Sequence, residues 1–171
     1  MTVVSTPAQS GLTHQQLALI FQYTVEAYKV FEKFAENLPN PMTRTVFKQF
    51  AVDERELRDI IEMKDVAIGG NRVRVTLGAD MIFNEMLEGE MSYRESSEFL
   101  ISRERTIQRK LREFINVATH ADRAFLIYIE TVKRSHIVEL ERELELLKHD
   151  ADWWTREDAE WRIVHGDSTL R

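Results

Sequence analysis

The sequence contains no cysteine. That excludes a disulfide framework, a thiolate zinc site, a cysteine-ligated iron centre and a cysteine nucleophile, so any metal has to sit on Glu, Asp and His. Helix breakers are scarce as well. All three prolines, Pro7, Pro39 and Pro41, precede Met42, and four of the six glycines (Gly69, Gly70, Gly78, Gly89) fall between Met63 and Ser92. The rest of the chain is therefore expected to form long helices rather than many short strands. No apolar run approaches the roughly 18 residues that a membrane span needs, so no membrane partner is expected. Residues 1–12 lack the charged and apolar regions of a signal peptide, which makes a flexible N-terminus and a cytoplasmic protein the expectation.

What is present fits one folded domain. The chain has 171 residues, 43% hydrophobic and 30% charged, a mixture that can bury a core without covalent staples. Its formal net charge of -6 argues against a nucleic-acid partner, which would call for a basic face.

Four breaker-free segments can be drawn. The first covers residues 13–37, where Thr13 and Gln16 have capping-box spacing, with an apolar stripe that includes Leu17, Ile20, Phe21, Ala27, Phe31 and Ala35. The second starts after Asn40 with Pro41 at the first helical position and carries Phe47, Phe50, Ala51, Leu57 and Ile61. Ser92 and Glu95 open the third, with Leu100, Ile107, Leu111 and Phe114; the fourth starts near Thr119, with Phe125, Ile129, Val132, Leu140 and Leu147. Short links join the first two and the last two, so each pair is expected to be an antiparallel hairpin. Residues 64–91 form a long crossover, with an extended piece expected at 72–75 and a short helix at 80–87. A 24-residue helix is about 36 Å long, and about eleven extended residues cover that distance. The expectation is all-α: an antiparallel four-helix bundle over residues 13–150, of ferritin-like connectivity, followed by a short C-terminal helix.

At about 100° per residue, four polar residues fall at the centre of these apolar stripes: Thr24, Glu54, Glu104 and His136. A carboxylate facing a bundle core is costly unless it is neutralised, paired or bound to metal. The first hairpin reads Thr24, Ala27, Phe31, Ala35, then Phe47, Ala51, Glu54, Leu57; the second reads Glu104, Ile107, Leu111, Ile115, then Phe125, Ile129, Val132. These residues resemble the rubrerythrin branch of the ferritin-like superfamily, whose hairpins read E-x-x-A-x-x-x-Y-x-x-x-A followed by F-x-x-x-A-x-x-E-x-x-H. Thr24 stands in place of the first Glu and Leu57 in place of the His. On the fourth segment, counting from Phe125 puts Val132 and Ser135 at the ligand positions, whereas one residue further puts Lys133 and His136 there. The second register is preferred because it keeps an imidazole near the core.

The resemblance implies a site in which four carboxylates and two imidazoles hold two divalent ions. This chain offers two of the carboxylates, which balance one ion. The implied centre is a single Fe, with Mn or Zn as alternatives, on Glu54, Glu104 and His136, with water or Thr24 completing the shell. The implied activity is an iron-dependent oxidoreductase that reduces peroxide or oxygen, or oxidises ferrous iron, served by a separate electron-donor protein. The competing expectation is a non-catalytic scaffold or interaction protein, its site decayed into internal ion pairs made by Arg58 and Lys133.

Other features read as structure. Glu26 is expected on the solvated face, as is the acidic run Glu139, Glu141, Glu143 and Glu145. Tyr23, Tyr28 and Tyr128 are candidates for hydrogen bonding near the core. The basic third segment (Arg103, Arg105, Arg109, Lys110, Arg112) suggests charge pairing between helices or in a homodimer. The tail, residues 151–171, holds all three tryptophans, so it is expected to dock on the bundle or on a second subunit, with Thr155 and Asp158 at capping spacing.

Overall fold

Thr13, Asn40, Ser92 and Thr119 each precede a breaker-free run, and each starts a helix. The computed structural model describes residues 11–70, 83, 86 and 90–166. Within them α1 is His14–Asn37, α2 Pro41–Ala67, α3 Tyr93–Val117, α4 His120–His149 and α5 Ala159–His165, and Trp153–Thr155 is a 3₁₀ turn. No strand forms among the described residues, so this part of the molecule is all-helical.

Thr13 Oγ1 accepts the Gln16 N–H at 3.2 Å while the Gln16 side chain accepts the Thr13 N–H at 2.9 Å. Ser92 and Glu95 repeat the arrangement at 3.2 and 2.8 Å. Asn40 Oδ1 accepts from the N–H groups of Met42 and Thr43, with Pro41 supplying a pre-set φ at the helix start. Each such cap stabilises its helix by about 1 kcal/mol.

The crossover starts later than the expected residue 64. Nothing breaks α2 before the glycine pair, so it continues through Ala67. There Gly69 adopts φ +83°. Its N–H donates to Val66 O at 3.0 Å and that of Gly70 to Asp65 O at 2.9 Å, the paired bonds of a Schellman end. The expected extended piece at 72–75 lies outside the described residues, and of the expected helix at 80–87 only Phe83 and Met86 are described. Phe83 corrects the reading of Glu26. Its N–H donates to Glu26 Oε1 at 3.0 Å, Gln22 donates to Oε2 at 2.7 Å, and Glu26 is fully buried. The periodicity of one helix cannot show that a later segment covers its outer face. Leu12 also departs from a free N-terminus, being 8% exposed with its N–H on Asp122 Oδ2 at 2.9 Å.

The core forms where the apolar stripes meet. Between α1 and α2, Phe34 packs on Phe47 (5.0 Å between ring centroids) and Phe31 on Phe50 (5.1 Å). Leu100, Ile107 and Leu111 of α3 join Leu126, Ile129 and Leu140 of α4 in the same buried cluster. Fully burying one such side chain stabilises the fold by about 2 kcal/mol.

In the tail, Trp154 is fully buried, its ring 5.4 Å from Phe34, 5.3 Å from Phe47 and 5.4 Å from Tyr93. Asn40 holds the tail backbone: its Nδ2 donates to Trp153 O at 2.7 Å and its N–H to Trp154 O at 3.1 Å. Trp161 does not share that burial; it is 59% exposed and stacked on His165. Thr155 is no cap either, because its hydroxyl donates to Asp152 O, and Asp158 precedes α5 without a side-chain capping bond.

Candidate metal centre

Glu54, Glu104 and His136 are each fully buried, on α2, α3 and α4, and one ligand atom from each lies within 4.8 Å of the others. The helical repeat explains the convergence: each sits one turn from apolar residues that face the core (Phe50 and Leu57, Leu100 and Ile107, Leu140). On α4, Lys133 and His136 are buried, Val132 is half-buried and Ser135 exposed, so Lys133 and His136 are the pair that faces the core.

Ion pairs and hydrogen bonds define the polar interior. The Lys133 ammonium donates to Glu54 Oε1 and lies 3.8 Å from Glu104 Oε1, over the Tyr23 ring at 4.8 Å from its centroid. The Tyr23 O–H donates to Glu104 Oε1 at 2.8 Å. His136 Nε2 faces Asp53 Oδ2 at 2.9 Å, which leaves Nδ1 directed inward, 3.5 Å from Glu54 Oε1 and 3.6 Å from Glu104 Oε2. Phe50 lies along the imidazole at 4.2 Å between centroids, and Phe31 meets it edge-on at 5.8 Å.

Three buried polar atoms of this cluster have no hydrogen-bond partner, Glu54 Oε2, Glu104 Oε2 and His136 Nδ1, one each from α2, α3 and α4, and the buried Thr24 Oγ1 of α1 has none either. Leaving such atoms bare costs about 1–3 kcal/mol each, and the three in the cluster could together hold a ligand. The Glu54, Glu104 and His136 donors could hold a divalent cation. Carboxylate oxygens and an imidazole nitrogen are its ordinary ligands, and the 3.6 Å between Glu104 Oε2 and His136 Nδ1 approaches the roughly 3 to 3.5 Å between neighbouring donors on an ion about 2.1 Å away. The Asp53–His136 contact has the form of the carboxylate support that metal-binding imidazoles usually receive.

Electrostatics follow from this packing. Burial pushes the His136 imidazolium down, but Asp53, Glu104 and Glu54 outweigh it and raise the group to about 9. Burial opposes ionisation of Glu104, yet Lys133, His136 and the Tyr23 hydroxyl hold it below the ordinary carboxylate range. For Glu54, burial prevails over Lys133 and the group is raised. Burial and the adjacent Glu104 carboxylate push the Tyr23 phenol up, so it stays a donor.

Several sequence expectations need correction. Arg58 does not reach Glu54; it pairs with Asp59 at 2.7 Å on the surface. Tyr28 bonds Glu32 and Tyr128 is half exposed, so Tyr23 alone of the three reaches this interior. Glu143, read as part of a solvated run, is 2% exposed; its Oε2 accepts from Thr43 at 2.9 Å, Trp153 at 3.2 Å and Trp154 at 3.0 Å. Its signal was present, because it lies three residues beyond Leu140 and four before Leu147. Of the basic residues of α3, Arg105 pairs with Glu141 and Arg112 with Glu130 on α4, as the expected pairing between neighbouring helices has it. Asp53 was missed, and its only sequence signal is adjacency to Glu54. No protein-family model matches the chain, and no curated protein matches it significantly. The likeness to the rubrerythrin branch therefore rests on the residues quoted above.

Proposed function

We propose that the chain is a ferritin-like, rubrerythrin-like bundle of four antiparallel helices that holds one divalent ion, iron before Mn or Zn, on Glu54, Glu104 and His136. The observation that carries this reading is the set of unpartnered atoms, Glu54 Oε2, Glu104 Oε2 and His136 Nδ1, with the Thr24 hydroxyl as a fourth donor. A redox-active ion bound there supplies one-electron chemistry at open positions, which suits an oxidoreductase acting on peroxide, oxygen or ferrous iron. The chain's own groups do the rest. Asp53 orients the imidazole, Tyr23 fixes one edge of Glu104, and Phe31 and Phe50 keep water from the ring. With no cysteine in the sequence, electrons would come from a separate donor protein, and a homodimer is part of this reading. Elemental analysis of protein from metal-replete medium should give about one ion per chain, falling sharply in Glu104→Gln; less than about a tenth of an ion would overturn the reading. A peroxide-reduction or ferrous-oxidation assay on the loaded protein then tests turnover.

One observation favours a second reading. The Lys133–Glu54 pair already neutralises one buried carboxylate without metal, as a non-catalytic helical scaffold would require. That reading expects no bound ion and unchanged thermal stability on adding or chelating metal.

A further inference from the structure

We infer that the Lys133 ammonium occupies the place of a second cation, so that the charge at position 133 sets how many metal ions this interior takes. The inference rests on the metal reading above and deepens it. Lys133 is fully buried, and it stands one turn before His136, where the sequence resemblance puts a carboxylate ligand. Its ammonium contacts the Oε1 atoms of both acids, donating to Glu54 and lying 3.8 Å from Glu104. The opposite oxygens, both Oε2 atoms, are the unpartnered ones, and Glu104 Oε2 is the atom nearest His136 Nδ1 on that acid. The two carboxylates thus present two edges. On Glu104 the Oε1 edge meets the ammonium and the bare Oε2 faces the imidazole at 3.6 Å, whereas on Glu54 the oxygen nearest Nδ1, at 3.5 Å, is the same Oε1 that accepts from Lys133.

Charge agrees with geometry. Glu54, Glu104 and Asp53 carry three negative charges, and Lys133 with one divalent ion carries three positive. A second divalent ion beside the ammonium would leave buried positive charge unbalanced, which the interior disfavours strongly. Replacing the ammonium by a carboxylate reverses this: it removes the cation from the Oε1 edge and adds a ligand at the same place.

The test loads wild type, Lys133→Glu and Lys133→Met with Mn(II) alone and counts ions per chain by elemental analysis and native mass spectrometry, with electron paramagnetic resonance on each sample. Wild type should bind one ion with the signal of an isolated Mn(II); Lys133→Glu should bind twice as many, with a spin-coupled signal that a purely structural role for Lys133 would not produce. Equal ion counts in wild type and Lys133→Glu overturn the inference while leaving the single-ion reading intact. Wild type with none and Lys133→Glu with ions would sink the single-ion reading and uphold Lys133 as the group that excludes a cation. No ions in either would sink both. If Lys133→Glu does not fold even with Mn(II) present, Lys133→Met decides: more bound Mn(II) than wild type supports the inference, and the same or less overturns it.

Discussion

His136 carries the clearest pH signature of any residue described. Its folded value of about 9 lies above the ordinary value near 6.5. In metal-free protein the imidazolium therefore contributes stability that is complete below about pH 6.5 and lost as pH rises through 9, about 3 kcal/mol in all. Urea unfolding of metal-free protein at pH 6 and pH 9.5 should show that loss, and His136→Gln should flatten it. Metal binding has the opposite dependence, because the ion competes with a proton at Nδ1: affinity should rise about tenfold per pH unit up to pH 9 and level off above it. Tyr23→Phe keeps the ring under Lys133 but removes a donor from Glu104 Oε1. Thermal or chemical unfolding should show it less stable by about 1–3 kcal/mol. At this scale Glu54, Glu104 and His136 were legible, because a polar residue at the centre of a helical apolar stripe stands out. Asp53 was not, since it reaches His136 from a half-buried edge that a stripe analysis assigns to solvent.

Helix starts were legible because capping is local: Thr13, Asn40 and Ser92 declare themselves within three residues. What covers a helix from outside is not local, and the two misread acids fail for that reason. Glu26 meets the backbone of Phe83, and Glu143 meets indoles ten and eleven residues onward. Both are satisfied by segments whose docking no periodicity encodes. Glu143→Leu leaves the Thr43 hydroxyl and two indole N–H groups without an acceptor. It should destabilise by about 3 kcal/mol or more and red-shift the tryptophan emission, whereas Glu143→Gln should cost less, retaining one acceptor oxygen. Burial pushes Glu143 above its ordinary value, so the tail contact tolerates a proton at mildly acidic pH better than an ordinary surface ion pair would.

Across the molecule, the scarcity of breakers was enough to predict an all-helical chain, and that prediction needs only composition and spacing. How the crossover residues are placed could not be read that way, and most of them fall outside the described residues. Two places draw on every long helix. One is the polar interior, with Tyr23, Glu54, Glu104 and Lys133 from α1, α2, α3 and α4. The other is Trp154, whose ring meets Phe34, Phe47 and Tyr93 and whose N–H reaches Glu143. Trp154→Ala should therefore lower global stability by about 3–5 kcal/mol in chemical denaturation, more than truncating exposed Trp161, which should change it by less than about 0.5 kcal/mol.

The position of Trp154 also imposes an order of events during synthesis. Phe34, Phe47, Tyr93 and Glu143 all leave the ribosome before it does, so the nascent chain carries an open aromatic slot with an acid on its wall that still lacks its indole donors. Only when residue 154 emerges can one side chain close all four rods together.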